Sequence, residues 1–528
     1  MKVALVNPQT ETRSMRELYD HHENHALALL HAQLEQHLHQ CETIDLRVDS
    51  LSERDAAQQI MAGYFDLVVF SVNYATMSSA LLISGIICLE AAHKPVIALG
   101  GEHASYQNIE IMETYPHIDV ICHGEGEATL LQLANALEEE VPLESVLGIT
   151  YRRAGKVVEA EPQPPISELD ILPFADHHVA QRAISNGKCV EIGIMTKRGC
   201  PYPCSFCNAQ RFLGNGNTGV RYRSPESVVE EIEQLAPLVK QTGQFLRIYD
   251  ATLVTPSNTD RKWFNQFCDL MEAKQLRVPM DAFIRTDSFN LSKEKDRAFL
   301  ERLRGVGLIS TYLGLEAGDD QQLELYNKKT NAETSEGKYH YLRSLGMSGS
   351  SNGIINFFQG STIDQLKTNA AFLSRVGMAT FWNFLSRAET LPGIEMNKST
   401  KQQPRKNLWD VSNYQFEDRR VHHLYEALYS IGNQHYFVRY EDRIARRIRD
   451  SIRIKNFYQG YLGYSEQEQA FDDHIQTLQS FTVEFVLAQI ENVSLENAFV
   501  PNPRDIRNYV AKMNEGLAFI ADHYREYI

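Results

Sequence analysis

The first 140 residues alternate apolar runs with stretches in which apolar residues recur every three or four positions. The runs predict strands at 2–6, 43–48, 66–72, 95–99 and 119–123. Between and after them the pattern predicts helices, of which the clearest are 15–39 and 128–138. These strands are too uniformly apolar for one face to contact solvent, and helices separate them. Both features indicate a parallel sheet covered by helices on both faces. We therefore predict an α/β protein that begins with a doubly wound, Rossmann-like domain over residues 1–140.

Loops at the carboxyl ends of these strands carry small residues, and such loops are where ligands bind in doubly wound sheets. The candidate positions are Ser71, Thr76, Gly100, Gly101, Gly124 and Gly126. Glycine allows a backbone to turn tightly or to approach a flat ligand closely. Spacing alone favours plain strand-to-helix turns, and ligand binding is the alternative.

Residues 141–185 are predicted to form a connector. The segment 148–158 resembles a small hairpin with its turn near Ala154 and Gly155, and the proline- and acid-rich residues that follow are typical of an extended linker. We place the domain boundary here.

Strand–helix repeats return between 186 and 400. The predicted strands are 189–196, 245–248, 280–284, 311–315, 354–358 and 380–385. Such repeats predict a partial (β/α)6 barrel with its chemistry at the carboxyl ends of the strands. The polar residues at those ends are Asp250, Arg285, Asp287 and Glu316.

Residues 401–528 are predicted to be helical, with helices at 418–431, 441–454, 466–490 and 505–524. This region is either a cap or a dimerisation domain, so a homodimer is one of two expectations. One helix carries a basic stripe formed by Arg443, Arg446, Arg447, Arg449 and Arg453. With acids beside it, the stripe is typical of a solvated helix face, and the alternative is an anion site for a phosphorylated or carboxylated substrate.

Composition limits the classes of protein that fit. A chain of 528 residues with 43% apolar and 23% charged residues is typical of a multidomain globular protein. The net charge of -16 argues against a broad nucleic-acid surface, because phosphate binding needs clustered Lys and Arg. The apolar stretch 77–92 is shorter than the ~20 residues of a membrane span, and the amino terminus has no extended signal-peptide core. We expect a cytoplasmic protein without a membrane span.

Cys200, Cys204 and Cys207 form a C-x3-C-x2-C motif behind an apolar run. An iron–sulfur cubane is normally held by four thiolates, so three leave one iron open to an outside ligand. A structural zinc site is the alternative, but it needs four Cys or His ligands, and His177 and His178 are the nearby candidates. The remaining cysteines lie in apolar segments, as buried free thiols do. The motif therefore predicts a [4Fe–4S] cluster with one open iron.

The segment KRGCPYPCSFCNA, at 197–209, resembles the cluster loop of the radical S-adenosylmethionine (SAM) superfamily. The resemblance implies that the amino and carboxylate groups of SAM chelate the open iron and that Phe206 lies near the adenine. It also implies that Asp250 or a neighbour contacts the methionyl ammonium, and it assigns the ribose or carboxylate region to Arg285, Asp287 and Glu316. A zwitterionic ligand needs such charged partners. The alternative for each of these residues is a surface ion pair. The chain departs from the family pattern at Ala251, where a second acid is usual, and at 357–365, which lacks a glycine–proline pair.

The segments FDLVVFSVNYAT (65–76), PVIALGGEHAS (95–105) and DVICHGEGEATLLQL (119–133) resemble the cobalamin-binding domain found ahead of many radical SAM domains. The resemblance implies that the corrin and its nucleotide tail lie among Ser71, Thr76, Gly100, Gly101, Gly124 and Gly126. Cobalamin mutases carry a D-x-H-x-x-G loop after the first strand, where this chain has NPQTET at 7–12. Cobalt should therefore receive no histidine from that loop. His103 and His123 are possible substitutes, although each is more typical of a polar loop residue.

Taken together, the resemblances imply a cobalamin-dependent radical SAM enzyme with three cofactors: a [4Fe–4S] cluster, SAM and cobalamin. Its expected reaction is reductive cleavage of SAM to a 5′-deoxyadenosyl radical and methylation of an unactivated carbon of a small-molecule substrate. A flavodoxin- or ferredoxin-type donor supplies the electron, no nucleic acid takes part, and no side chain is assigned as an acid or a base. Two alternatives stay open: rearrangement, cyclisation or dehydration without methyl transfer, and a non-catalytic iron–sulfur electron-transfer or scaffold protein.

Overall fold

The computed structural model describes residues 1–10, 22–214, 219–347, 349, 353–411, 413–435, 440–493 and 499–527. In these ranges the chain forms two main sheets, each covered by helices, followed by long helices. The first part of the predicted helix 15–39, up to residue 21, lies outside the described residues.

The amino-terminal sheet consists, in the described ranges, of β1 (Lys2–Asn7), β2 (Gln40–Asp45), β3 (Leu67–Ser71), β4 (Val96–Gly100), β5 (Val120–Cys122), β6 (Ile149–Arg153) and β7 (Lys156–Glu159). The strand order is β2-β1-β3-β4-β5-β6-β7. Strands β1 to β5 are parallel, whereas β6 and β7 run antiparallel. The order reverses between β1 and β3, and the crevice beyond the carboxyl ends of such strands is where ligands bind.

Helices cover both faces of this sheet. They are α1 (His25–Gln36), α2 (Glu53–Gly63), α3 (Met77–Glu90), α4 (Glu102–Tyr106), α5 (Asn108–Thr114) and α6 (Gly126–Glu138). Successive residues of one strand point to opposite faces. Accordingly Val6 and Phe70 pack in one apolar cluster, and Leu5 and Val69 in another. The predicted Rossmann-like domain is confirmed.

The second strand ends at Asp45, whereas the sequence pattern predicts that it continues to residue 48. Oδ1 of Asp45 accepts hydrogen bonds from the backbone N–H groups of Arg47 (3.0 Å) and Val48 (3.1 Å). Because this side chain satisfies the next donors, the chain turns there instead of extending the sheet.

The connector contains the predicted hairpin, and its turn lies at Ala154 and Gly155. The hairpin is not a separate unit, because β6 pairs with β5 and so extends the first sheet to Glu159. We therefore propose that the first structural unit reaches about twenty residues beyond position 140. The rest of the connector contains short 3-10 turns at Leu143–Ser145 and Leu169–Ile171 and the helix α7 (His178–Ser185).

The central domain is a partial barrel. Its described strands are β8 (Gly193–Ile194), β11 (Leu246–Ile248), β12 (Met280–Arg285), β13 (Leu308–Glu316) and β14 (Gly353–Ile354), and a separate ribbon is formed by β9 (Lys197–Arg198) and β10 (Arg221–Tyr222). The barrel order is β14-β13-β12-β11-β8, and all pairs are parallel. The surrounding helices are α8 (Ala209–Gly214), α9 (Pro225–Thr242), α10 (Asn258–Ala273), α11 (Glu294–Gly305), α12 (Asp320–Leu325), α13 (Ala332–Ser344), α14 (Ile363–Arg375), α15 (Phe381–Leu385) and α16 (Glu395–Ser399), with a 3-10 turn at Thr286–Ser288.

The sixth predicted strand, 380–385, is wrong: this segment is the helix α15. Thr380 is its N-cap, and the side chain of Thr380 accepts a hydrogen bond from the N–H of Asn383 at 3.2 Å, which starts a helical turn. The sixth position of the barrel is marked by an isolated parallel bridge between Phe357 and Arg387. The partial α/β barrel itself is confirmed.

The carboxyl-terminal region is helical, as predicted. Its described elements are α17 (Arg419–Gln434), α18 (Tyr440–Tyr458), α19 (Glu466–Asn492), α20 (Pro503–His523) and a 3-10 turn at Arg525–Tyr527. The solvated-face interpretation of the basic stripe fails at two positions: Arg449 pairs with Asp472 at 2.6 Å, and Arg453 is buried against Glu468 at 2.5 Å. Within the described residues, no helix has both the length and the hydropathy needed to cross a bilayer.

Candidate active site

The cysteine loop follows β9 and is held by two other parts of the barrel. Asn327 donates to the carbonyl oxygen of Pro203 at 2.8 Å, and the hydroxyl of Ser205 donates to the carbonyl of Leu325 at 2.8 Å. The carbonyl of Ser205 accepts a hydrogen bond from the N–H of Met396 at 2.8 Å. The loop between the cysteines therefore has a fixed backbone.

The three thiols face different environments. Cys200 is buried, Cys204 is half-buried and Cys207 is exposed. Burial raises the pKa of the Cys200 thiol. The three sulfurs do not all lie within 4.8 Å of one another. A single zinc ion with Zn–S bonds of about 2.3 Å would hold its thiolates roughly 3.8 Å apart, so the three sulfurs are not arranged as the ligands of one zinc ion.

The two upstream histidines also argue against a zinc site at this loop. Nδ1 of His177 lies 2.5 Å from Oε2 of Glu23, and Nδ1 of His178 lies 2.6 Å from Oδ1 of Asp176. Both imidazoles are thus engaged with partners outside the cysteine motif.

Arg285 and Asp287 lie against the cysteine loop, beyond the carboxyl end of β12. Nη1 of Arg285 is 2.7 Å from the sulfur of Cys204, and its other nitrogens donate to both oxygens of Asp287 at 2.8 and 2.6 Å. The guanidinium also lies 3.8 Å from the ring centroid of Tyr202. Although burial opposes the charged form, Asp287 and Cys204 raise the pKa of Arg285. A fixed positive charge at the cysteines favours thiolates.

Glu316 ends β13 and is buried with a cation beside it. Oε1 of Glu316 lies 3.0 Å from Nζ of Lys328. Phe206 contacts the ring of Tyr326 edge-on, with the ring centroids 5.6 Å apart. The predicted contacts of Glu316 and Phe206 with SAM stay predictions.

Asp250 has a different environment from the other strand-end residues. Its carboxylate accepts from the N–H of Thr196 at 2.8 Å, from the hydroxyl of Thr196 at 2.5 Å and from the N–H of Lys197 at 3.2 Å. Burial raises the pKa of Asp250, although Lys197 opposes the shift. Asp250 therefore braces the strand that leads into the cysteine loop, and its predicted contact with the methionyl ammonium stays a prediction.

A cavity of about 720 Å³ lies between the first domain and the barrel. The residues of the first domain on its wall include Ser71, Gly100, Gly101, Gly124 and Gly126. No atom lies within 4 Å of the position that a Cβ on Gly124 would occupy, so this glycine borders open space. At Gly124 the wall therefore has no side chain, so a flat ligand could approach the backbone there.

Other predicted residues of this region lie off the wall. The hydroxyl of Thr76 is directed to the loop residue Asn73, 3.0 Å from its backbone N–H. His123 is 2.8 Å from the hydroxyl of Thr150, and His103 bonds Gln107 at 3.0 Å. The interpretation of the two histidines as polar structural residues fits these contacts.

The barrel side of the cavity is formed by residues that the sequence analysis did not assign to a site. They include Met195, Arg198, Tyr249, Phe283, Tyr312 and Arg446. Arg446 belongs to the basic stripe of α18, so the carboxyl-terminal region reaches the cavity. Tyr249 directly follows β11 and Phe283 lies within β12, and each is less buried than the residues on either side of it.

Two acids of the Gly124–Glu127 turn bind arginines of the β9–β10 ribbon, whose strand β9 leads into the cysteine loop. Arg198 pairs with Glu127, and Arg221 donates to Glu125 at 2.5 and 2.9 Å. Although burial opposes charge, Glu127 and then Glu125 raise the pKa of Arg198. These four residues, which we call the latch, join the wall of the cavity directly to the cluster loop. Sequence reasoning missed the latch, whose only local signal was the alternation of acids with glycines.

The fold and the site together define the class of protein: a partial barrel with a three-cysteine loop, next to a Rossmann-like domain, with a ligand-sized cavity between the two. The family model of the B12 binding domain matches residues 15–134, and the Radical SAM superfamily model matches residues 194–373. The chain belongs to the radical SAM superfamily and carries a B12-binding domain ahead of its radical SAM domain. The predicted cofactors, a [4Fe–4S] cluster, SAM and cobalamin, are confirmed as those of these two domains.

Similar curated proteins include an uncharacterized methyltransferase of Pyrococcus horikoshii, 26% identical over 359 residues that cover 68% of this chain and 74% of that protein. An anaerobic magnesium-protoporphyrin IX monomethyl ester cyclase of Rubrivivax gelatinosus is 31% identical over 260 residues, which cover 48% of this chain and 44% of the cyclase. The chain thus matches less than half of that cyclase.

Similar solved structures agree with this fold. The cobalamin-dependent S-adenosylmethionine radical enzyme OxsB, with aqua-cobalamin and S-adenosylmethionine bound, has a TM-score of 0.73 at 17% identity, covering 99% of this chain and 80% of that one. The radical SAM methyltransferase TsrM of Kitasatospora setae has a TM-score of 0.56 at 18% identity, covering 72% of this chain and 71% of that one.

Proposed function

We propose that this protein is a cobalamin-dependent radical SAM enzyme that methylates an unactivated carbon of a small molecule. The observation that carries the proposal is the cavity between the two domains, which is bounded by glycines on one side and by the top of the barrel on the other. The latch supports the proposal because its ion pairs join the cavity wall to the ribbon that leads into the cluster loop, and a reaction that uses both cofactors needs the two sites side by side.

Each cofactor has a candidate set of residues. Cys200, Cys204 and Cys207 would hold the cluster, and Arg285 would neutralise part of its charge. Phe206, Asp287 and Glu316 would lie around SAM, while the cavity wall of the first domain would receive the corrin. When bound, the cluster and SAM supply a carbon-centred radical and cobalamin supplies a methyl carrier. An external flavodoxin- or ferredoxin-type donor would deliver the electron.

The chain's own contribution is positioning and exclusion of water. Tyr249, Phe283 and Tyr312 give the barrel side of the cavity an aromatic surface. The guanidinium of Arg446 on the same wall supports a substrate that carries a carboxylate or a phosphate. Cyclisation without methyl transfer is the second candidate, which the likeness to the cyclases supports.

The first experiment tests the radical chemistry. The protein is reconstituted without oxygen, reduced in the presence of SAM, and 5′-deoxyadenosine and iron are quantified. We expect about four irons per chain in the wild type and loss of both cluster and product in Cys204→Ala. Cys41→Ala is the matched control, because Cys41 lies outside the motif. Retained product in Cys204→Ala would refute the cluster assignment.

The second experiment separates methylation from cyclisation. Protein loaded with hydroxocobalamin is given SAM labelled in its methyl group, and label is followed to the corrinoid and to candidate acceptors. Label on the corrinoid supports methyl transfer. Product formation with no label on corrinoid or product would favour the second candidate.

A further inference from the structure

A second group of metal-ligating side chains lies where the first domain meets the connector. One ligand atom from each of His31, Asp176 and His178 lies within 4.8 Å of the others. His31 is on α1, whereas Asp176 and His178 lie at the start of α7. The proposed function uses none of these residues, and they are separated from the cysteine motif in both sequence and contacts.

The two imidazoles present different nitrogens to the carboxylates of the group. Nδ1 of His31 lies 2.9 Å from Oγ1 of Thr43, and Nδ1 of His178 lies 2.6 Å from Oδ1 of Asp176. With Nδ1–H of His31 donating to Thr43, the lone pair of His31 is on Nε2, whereas His178 faces Asp176 with Nδ1, the nitrogen that an ion between these two side chains would bind. A ligand histidine whose other N–H donates to a carboxylate or hydroxyl is the usual arrangement around protein-bound zinc.

Carboxylates complete the group. The backbone N–H of His178 and Nδ1 of its ring both lie within hydrogen-bond distance of Oδ1 of Asp176, so an ion bound by both side chains would replace the proton between Nδ1 and the carboxylate. Oε1 of Glu35, one turn along α1, lies 3.3 Å from Nε2 of His31. Tetrahedral zinc with bonds of about 2.0–2.1 Å separates its ligand atoms by roughly 3.3 Å, so this distance already matches one edge of such a site.

The position allows an ion to enter. The side chain of His31 is 7% exposed, whereas those of Asp176 and His178 are 32% exposed and that of Glu35 is 53% exposed. The two imidazole centroids are 4.4 Å apart. The group is therefore closed on the side of α1 and open to solvent on the other.

We propose that His31, Asp176 and His178, with Glu35, bind a divalent transition-metal ion, for which zinc is the best match to two imidazoles and two carboxylates. The ion would cross-link α1, whose Leu27 and Leu30 line the cavity, to the connector that leads into the barrel. The N–H of Asp176 already donates to the carbonyl of Ala28 at 3.0 Å, so the metal would reinforce an existing junction. Its role is structural, and it is independent of the proposed chemistry.

The test uses the full chain with Cys200, Cys204 and Cys207 changed to serine, so that zinc cannot bind the cluster loop. After dialysis against a chelator, Zn²⁺ is titrated by calorimetry and Co²⁺ by visible absorption. We expect one equivalent of each ion and tetrahedral Co²⁺ bands. Asp176→Asn and His31→Ala should each weaken Zn²⁺ binding at least tenfold. Thr43→Val removes the hydroxyl that orients the His31 ring and should weaken Zn²⁺ binding about 10–100-fold.

His37→Ala is the control, because His37 is an exposed histidine at the end of the same helix, where its ring bonds the carbonyl of Gln33. It should bind Zn²⁺ as tightly as the parent chain. Circular dichroism checks that His31→Ala is folded. If His31→Ala is unfolded, Asp176→Asn tests the same metal site, because Asp176 is partly exposed. Absence of a Zn²⁺ equivalent, or equal affinity in the parent and Asp176→Asn, would overturn the proposal.

Discussion

Glu316 has a φ of 64°, in the left-handed region that residues with side chains rarely adopt. Such backbone strain is concentrated at functional sites. A Cβ on Gly314 would lie 2.7 Å from Oε1 of Glu316, and one on Gly353 would lie 2.9 Å from Oε2. Both glycines therefore leave space for the carboxylate beside Lys328. The sequence predicted Glu316 as a strand-end acid, but its backbone conformation and its partner follow from the packing of neighbouring strands.

At this scale we predict that Glu316→Gln weakens SAM binding. The amide keeps the shape of the side chain but removes a charge-assisted acceptor, which is worth about 1.5–3 kcal/mol. The Kd of SAM should therefore rise roughly tenfold or more, as measured by equilibrium dialysis with reconstituted protein. Glu324→Gln on the exposed side of α12 is the control. An unchanged Kd for Glu316→Gln would remove this residue from the SAM site.

At the scale of elements, the turn between β5 and α6 combines two roles. Gly124 borders the cavity, while Glu125 and Glu127 bind Arg198 and Arg221, which pair with each other across the β9–β10 ribbon beside the cysteine loop. A change in this turn thus acts on both cofactor regions. The glycines were predictable because their freedom of φ is a local property, whereas the arginine partners are distant in the sequence.

Gly124→Ala and Gly155→Ala form a matched pair that tests the cavity. Their φ values are +63° and +77°, and neither has an atom within 4 Å of the added Cβ, so alanine costs about 1–2 kcal/mol of backbone strain at both. Only Gly124 lines the cavity. We expect Gly124→Ala to lose bound corrinoid, measured per chain after loading and gel filtration, and Gly155→Ala to retain it. Equal corrinoid in the two variants would contradict this location for cobalamin.

At the scale of the whole molecule, the barrel and the carboxyl-terminal helices share one apolar core. Ile248 of β11, Phe372 of α14, Ile448 of α18 and Phe471 of α19 belong to the same buried cluster. The carboxyl-terminal helices are therefore part of the structure of the barrel and not a detachable cap. Arg446, on the other side of α18, extends this association to the cavity.

The buried acid Glu441 of α18 gives the molecule a pH-dependent stability. Burial, followed by the charge of Asp442, raises the pKa of Glu441 well above its usual range. The unfolded chain loses this proton near pH ~4.3, whereas the folded chain keeps it. The free energy of unfolding therefore falls as pH rises from the unfolded towards the folded pKa.

Position 441 cannot titrate in Glu441→Gln. The free energy of unfolding of this variant, minus that of the wild type, should therefore increase with pH, by up to about 1.4 kcal/mol per pH unit between the unfolded and folded pKa of Glu441. Denaturant unfolding at about pH 5.5 and about pH 7.5 measures this difference. Glu426→Gln, on an exposed face of α17, should show no such trend. A difference that is constant with pH would show that Glu441 is ionised in the folded protein.

The sequence by itself determined the features that depend on near neighbours: the apolar strands of the first sheet, the periodic helices after residue 418, the glycine turns and the cysteine spacing. It failed at 380–385, where the side chain of Thr380 caps a helix in a segment whose composition also suits a strand. Only the tertiary structure decided that the connector hairpin joins the first sheet, that the acids beside Gly124 and Gly126 bind Arg198 and Arg221, and that His31 meets His178. The physical reason is that such contacts join residues far apart along the chain, whose distance is fixed by packing and leaves no periodic trace in the sequence.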